Sequence, residues 1–361
     1  MGNYKISGSP TGELLNASGY TSNIFFAHLC AVMKNERRKA YFALAWVSFF
    51  WGTTYLAAKI SAHQMPGLFV AGIRQIVAGS LMVGYFKIRG HAWPDKTSLL
   101  KITVQGILLL SIGQGLLTWA LESVDSGLAA IIAALMPLFV AMFSIWLLRF
   151  ARFTPLLLVG LLIGFAGIAV IFYEHLSLLL NAKYAFGMGL CLLATISWSF
   201  GTVFASRYKP DTEILFSTGL QMLIAGIIVI GVCGVSGKYA NPAHISSGAL
   251  WSLLYLILVG SLVTYSAYVY AASKLPPTQV SIYAYINPIV AIFLGWLVLH
   301  ESMSVNVVTG TLITLGGVWL VNKEFKKQQS SQANGETDNV EDTVKTATRK
   351  SFEVKQSLKS Q

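Results

Sequence analysis

Apolar residues in this chain come as long unbroken runs separated by short polar segments; they do not alternate with polar residues as they would on a half-buried surface. Ten runs can be drawn, at 40–60, 67–86, 102–121, 126–148, 154–173, 185–206, 214–235, 250–272, 277–299 and 305–322. At about 1.5 Å per residue, each is close to the length a helix needs to cross a hydrocarbon layer of about 30 Å. Several connections are only a few residues long, so successive helices are predicted to be antiparallel neighbours. Two runs, 126–148 and 277–299, carry no charge and have a proline at the midpoint, Pro137 and Pro288. A proline removes one helix hydrogen bond and releases the carbonyl four residues earlier, here Ala133 and Ala284. In hydrocarbon such a carbonyl persists only where protein or a water-filled cavity satisfies it. Both prolines are therefore candidates for a helix break or gate; the alternative is that they only bend their helices for packing.

The pair belongs to a longer register. Ser48-x-x-x-Gly52-Thr53 returns as Ser197-x-x-x-Gly201-Thr202, Ala120 as Ala271, Trp146 as Trp296, and Gly160 and Gly167 as Gly310 and Gly317. Ordered matches across several helix pairs indicate a duplication. With five spans per copy, an odd number, the second copy enters the membrane from the opposite side. Inverted repeats of this kind place a solute site where helices are interrupted at corresponding positions.

Composition agrees with this reading. Hydrophobic residues make up 55% and charged residues 11%, against about 25% charged in a soluble domain, and the mean hydropathy is +0.62. The predicted class is an all-α polytopic membrane protein with ten transmembrane helices as two inverted five-helix repeats. The net charge of +11 does not point to nucleic acid, because the cations sit in short loops and tails. Lys34, Arg37, Arg38, Lys39, Lys87, Arg89, Lys96, Arg149, Arg152, Arg207, Lys209, Lys274, Lys323, Lys326 and Lys327 fall on one side; Lys183, Lys238 and Lys59 fall on the other. The positive-inside rule then puts both termini in the cytoplasm of a bacterial inner membrane. The predicted organisation is a cytoplasmic tail at 1–39, a first repeat at 40–173, an external linker at 174–184, a second repeat at 185–322 and a disordered cytoplasmic tail at 323–361. The folded part is expected to begin near Met33, with 1–32 an extension.

Arg74 is the sharpest candidate for chemistry. It lies well inside the second span, where a charge costs about 2.5–3.5 kcal/mol on insertion scales. One reading is a guanidinium that binds a substrate carboxylate; the other is a structural arginine that hydrogen-bonds helix carbonyls or reaches outward. Lys59, near a helix end, is expected to snorkel to water, or to share an anion with Arg74. Gln279, Tyr283 and Asn287 recur at helical spacing, as do Ser111, Gln114 and Thr118, and Ser261, Tyr265 and Tyr268. Such stripes face protein or a cavity and not lipid. Trp51, Trp119 and Trp198 are candidates for an amphipathic wall. The candidate substrate-binding set is Arg74, Lys59, Gln114, Trp119, Gln279, Tyr283, Asn287 and Tyr265. Gly160-x-x-x-Gly164 and Gly316-Gly317 read first as close helix packing and second as a homodimer contact. The six histidines lie outside the spans without metal spacing, and the three cysteines form no pairing pattern, so no metal, cofactor or enzymatic activity is expected.

These residues resemble the EamA family of the drug/metabolite transporter superfamily. The resemblance covers about 40–322. It rests on FFWGTTYLAAKIS at 49–61, Arg74-x-x-x-Ala78, DSGLAAIIAALMPLFVAMFSIWLL at 125–148, SWSFGTVFASRY at 197–208 and YINPIVAIFLGWLVLHESMSVNVVTGTLITLGGVWLV at 285–321. It implies ten helices with both termini inside, a central cavity, and export of small metabolites such as amino acids by alternating access. The implied partners are a small-molecule substrate and the lipid bilayer. Efflux of hydrophobic or cationic drugs is the alternative, and a sensor or scaffold that moves nothing is a third. One departure is that Glu301 follows the second proline helix, whereas the matching first-half position is Ala151.

Overall fold

A computed structural model of the chain describes residues 11–148, 154–179, 181–240 and 245–328. Every regular element among them is helical. Eight helices are long and apolar enough to cross a membrane: α2 (Gly67–Ile88), α3 (Lys96–Ala120), α4 (Ser126–Leu148), α6 (Ala182–Arg207), α7 (Ile214–Ser236), α8 (Ser247–Lys274), α9 (Pro277–Leu299) and α10 (Val305–Gln328). The other two apolar runs lie in α1 (Thr11–Ala62) and α5 (Pro155–Leu179).

Helix ends follow local chemistry. α1 starts directly after Pro10 and runs to Ala62 in an interval without proline, so helix continues well upstream of Met33. α5 runs to Leu179 because nothing after Tyr173 stops it, and helix therefore extends into the segment read as a linker. α10 likewise continues beyond Asn322 to Gln328. The remainder of the predicted C-terminal tail, and Ala151, lie outside the described residues. Asp95 caps α3 through the amides of Thr97 and Ser98, Asn181 caps α6, and Glu213 caps α7. These side chains satisfy amides that a helix start leaves open.

Two helix pairs cross backbone to backbone on glycines. On α2 and α7, a Cβ at Gly226 would lie 2.6 Å from the Ile76 amide and 3.0 Å from the Gly72 carbonyl, while Gly79 meets Leu223 and Gly219. On α5 and α10, Gly160 meets the Gly317 carbonyl at 3.0 Å and Gly167 meets the Gly310 carbonyl at 2.6 Å. In each pair the lower-numbered glycine of one helix sits beside the higher-numbered glycine of the other, so the partners run antiparallel. Gly160, Gly164 and Gly167 of α5 thus pack against Gly310 and Gly317 of α10 within the chain, while Gly316 has nothing within 4 Å of a Cβ placed on it.

Four interruptions shape the interior. α4 breaks between Ala133 and Met136, just before Pro137. α9 breaks after Val280 and resumes at Tyr283, so Pro288 lies inside a continuous helix. The expectation of a break at Pro288 is corrected: the break is at Ser281–Ile282, where Ile282, Ala284 and Tyr285 donate to carbonyls three residues back and tighten the turn. α3 and α8 each contain a wide π-helical stretch, Ile107–Gln114 and Leu256–Tyr265. Such stretches re-aim side chains and concentrate at functional sites.

Candidate functional site

The interruptions surround a cavity of about 80 Å³. Its walls come from α1, α2, α3, α4, α6 and α9, and it reaches from mid-helix toward the end that carries Glu122 and Asp125. Ala133 and Ala284, whose carbonyls the two prolines release, both line it. Across the cavity the Tyr283 hydroxyl donates to Met136 Sδ at 3.0 Å, joining the two broken helices. Ser199 of α6 donates to the Met136 carbonyl at 3.3 Å, so protein satisfies part of the exposed backbone beside the α4 break.

Arg74 is 2% exposed and is the one charged residue in the lining among the described residues. Its Nε donates to Ser261 Oγ at 3.1 Å, on the π-helical stretch of α8. Nη2 is buried with no hydrogen-bond partner. Gly260 gives that nitrogen its space, since a Cβ there would lie 3.0 Å from it. The remaining polar groups are neutral. Gln114, re-aimed by the π-helical stretch of α3, accepts from Gln75. Asn287, with its amide nitrogen turned to α1, donates to the Ser48 carbonyl at 2.7 Å and the Tyr283 carbonyl at 3.3 Å. Thr54, Thr118 and Thr195 direct their hydroxyl protons to carbonyls of their own helices, leaving oxygen lone pairs as acceptors.

One end of the cavity is closed by an aromatic layer. Trp51 contacts Trp198, Tyr268 and Tyr283 with ring centroids 5.3, 5.0 and 5.0 Å apart, and Tyr265 stacks on Tyr268 at 5.9 Å. Beyond the layer a second cleft opens toward Lys209 and Lys274, with Tyr268, Gln105 and Gln221 in its wall. The Tyr265 hydroxyl donates to Gln221 at 2.7 Å, Gln221 to Gln105 at 2.8 Å, and Gln105 to the Tyr208 carbonyl at 2.8 Å. This chain of hydrogen bonds ties α8, α7, α3 and the end of α6 together.

Of the sequence-predicted residues, Arg74, Gln114, Tyr283 and Asn287 meet in the cavity and four do not. Lys59 is buried and donates to the Val124 carbonyl at 2.7 Å, with Asp125 4.0 Å away; the α3–α4 turn folds over the end of α1 and supplies a nearer partner than water. Trp119 packs on Phe186 beneath the Lys238 ammonium, 3.8 Å above its ring. Gln279 accepts from Tyr41 at 2.9 Å on the exposed end, because the break at Ser281–Ile282 turns it off the face shared by Tyr283 and Asn287. Tyr265 belongs to the aromatic layer. Glu122 accepts from the Gly67 amide at 2.6 Å. Glu301 accepts from the amides of Ser126 and Gly127 and from the Ser126 hydroxyl. Both carboxylates therefore cap helix starts, where the dipole favours a negative charge. Sequence reasoning missed Thr54 and Thr195, which share a helix face with Trp51 and Trp198 and were findable that way. Gly260 carries no local signal.

Comparison with known proteins returns a consistent family. A profile of the EamA-like transporter family matches residues 38–173 and again 185–323. The inner membrane transporter YedA of Escherichia coli strain K12 is 34% identical over 280 residues, covering 74% of this chain and 87% of YedA. The transporter YoaV of Bacillus subtilis is 25% identical over 284 residues, covering 78% and 96%. A WAT1-related chloroplastic protein of Arabidopsis thaliana is 28% identical over 281 residues, covering 76% and 67%. One crystal-structure chain shares the fold with a TM-score of 0.59 at 18% identity, over 79% of this chain and 97% of that one.

Proposed function

The chain belongs to the EamA-like transporter family, and on that premise we propose that it exports small metabolites, such as amino acids and related carboxylates, through the cavity beside Arg74. The transport cycle is alternating access of two inverted five-helix repeats, the ten spans being the eight apolar helices with α1 and α5. The antiparallel glycine crossings of α2 with α7 and α5 with α10 support this symmetry, since each joins a helix to its counterpart. The matched π-helical stretches of α3 and α8 support it too. The positive-inside pattern supports cytoplasmic termini, and the likeness to an inner membrane transporter supports placement in the bacterial inner membrane.

The observation that carries the reading is the cavity whose walls come from both proposed repeats, separated by aromatic rings from a cleft at the other end. That is the layout expected of a carrier closed toward one side. No acidic side chain lines the cavity among the described residues, and Glu122 and Glu301 are engaged as caps, which favours facilitated diffusion or exchange over a carboxylate proton relay. Efflux of hydrophobic cations is the second reading, favoured by the aromatic lining and opposed by Arg74 within it. The test is flux in proteoliposomes holding the purified full chain, against amino acids, organic acids and cationic dyes. Movement of small metabolites above protein-free vesicles is expected. Dye movement alone selects the second reading, and no movement of any solute defeats transport.

A further inference from the structure

Charge balance inside the cavity narrows the substrate class, and this step rests on the transport reading above. Arg74 brings one positive charge into a wall that, among the described residues, otherwise offers only neutral groups. Buried charge without a counter-charge is costly, and the cost falls only when a partner of opposite sign is supplied in good geometry. Ser261 holds the Nε edge of the guanidinium, and Nη2 is buried without a hydrogen-bond partner beside Gly260, so the charge that Arg74 brings to the cavity wall is incompletely satisfied. A guanidinium held at Nε and short of further acceptors suits an oxyanion. A zwitterion would leave the site with its net positive charge and bring an ammonium that finds no carboxylate. A monoanion brings the site to neutrality. The rings of Trp51, Trp198 and Tyr283 supply a surface for an apolar body, which an inorganic anion lacks. The cavity holds on the order of five waters, or a solute of on the order of five to ten non-hydrogen atoms.

We propose that the solute recognised here is a small monoanionic organic acid whose carboxylate is received by the Arg74 guanidinium and whose apolar part lies against the Trp51–Trp198–Tyr283 wall.

The test uses three labelled probes with one four-carbon skeleton and different charge: 2-oxobutyrate, 2-aminobutyrate and 1-aminobutane, with nitrate as an inorganic control. Flux into proteoliposomes is measured after subtracting protein-free vesicles, and binding to the detergent-solubilised chain is followed by tryptophan fluorescence. The wild-type chain is expected to carry 2-oxobutyrate about tenfold faster than the zwitterion, the scale of one charge-assisted contact, and to ignore the amine and nitrate. Arg74→Gln is expected to lose that flux by about tenfold or more, with Arg74→Lys intermediate. Equal or faster transport of 2-aminobutyrate, 1-aminobutane or nitrate overturns the proposal, as does unchanged 2-oxobutyrate flux in Arg74→Gln. Should Arg74→Gln fail to fold by gel filtration, the wild-type selectivity and the Arg74→Lys variant decide. Binding of 2-oxobutyrate without flux of any probe supports the carboxylate site and defeats transport. Neither binding nor flux of 2-oxobutyrate defeats the site.

Discussion

Two cations enter the apolar interior, and their partners assign them different work. Lys59 ends on the Val124 carbonyl and beside half-exposed Asp125, so its charge is spent on pinning the α3–α4 turn over the end of α1. Arg74 lines the cavity, ends on one neutral hydroxyl and keeps a buried nitrogen without a hydrogen-bond partner. Lys59→Met should therefore act on stability. It strands a buried carbonyl acceptor at about 1–3 kcal/mol, while Asp125 relaxes into water. The expected result is a lower thermal unfolding midpoint in detergent with flux per folded molecule unchanged. Lost flux at an unchanged midpoint would instead place Lys59 on the solute path.

At the scale of helices, α7 offers a paired comparison, because Gly226 and Gly231 sit on the same helix and differ only in what faces them. A Cβ at Gly226 meets the Ile76 amide and the Gly72 carbonyl of α2, neither of which can move alone; at Gly231 it meets nothing within 4 Å. Gly226→Ala is expected to destabilise by about 1–3 kcal/mol through overpacking. Gly231→Ala is expected to be neutral or to stabilise by up to about 1 kcal/mol through helix propensity. Thermal unfolding of both variants in one detergent checks the contrast; equal effects would mean that the α2–α7 crossing is looser than the fold indicates. These crossings also show where the sequence was readable. The spans were legible because hydrocarbon demands long apolar runs, and the glycines of α5 and α10 because only small residues let backbones touch. The π-helical stretches and the Ser281–Ile282 break were not, since a slipped hydrogen-bond register has no residue signature of its own. Two of the candidate residues lie away from the cavity for that reason or a related one: Gln279 left its predicted face through the break, and Lys59 found an acceptor supplied by a turn distant in sequence.

For the whole molecule, the aromatic layer and the amide chain beneath it decide which end the cavity can reach. Trp51 and Tyr283 face the cavity while Tyr268 faces the cleft near Lys209 and Lys274. Any solute passing between the two spaces has to part these rings. The Gln105–Gln221 hydrogen bond spans α3 and α7, one helix from each proposed repeat. On the same end, Glu36 of α1 pairs with Lys274 of α8 at 3.4 Å and accepts from Tyr270 at 3.0 Å. Lys39 beside it holds the Glu36 carboxyl below the ordinary glutamate range, so this contact stays charged at neutral pH. These ties hold α3 to α7 and α1 to α8, and in an alternating-access cycle they have to loosen together before the cleft and the cavity connect. The prediction follows from the geometry of the amide pair. With Cys30, Cys191 and Cys233 replaced and Gln105 and Gln221 changed to cysteine, a short thiol-reactive cross-linker between the two should reduce flux to near the protein-free rate. Reductive cleavage of the linker should restore it. Flux that persists in fully cross-linked protein would mean that α3 and α7 stay together through the cycle. The parting would then have to occur between α1 and α8, where Trp51 meets Tyr268, and the Glu36–Lys274 pair would become the contact to bridge.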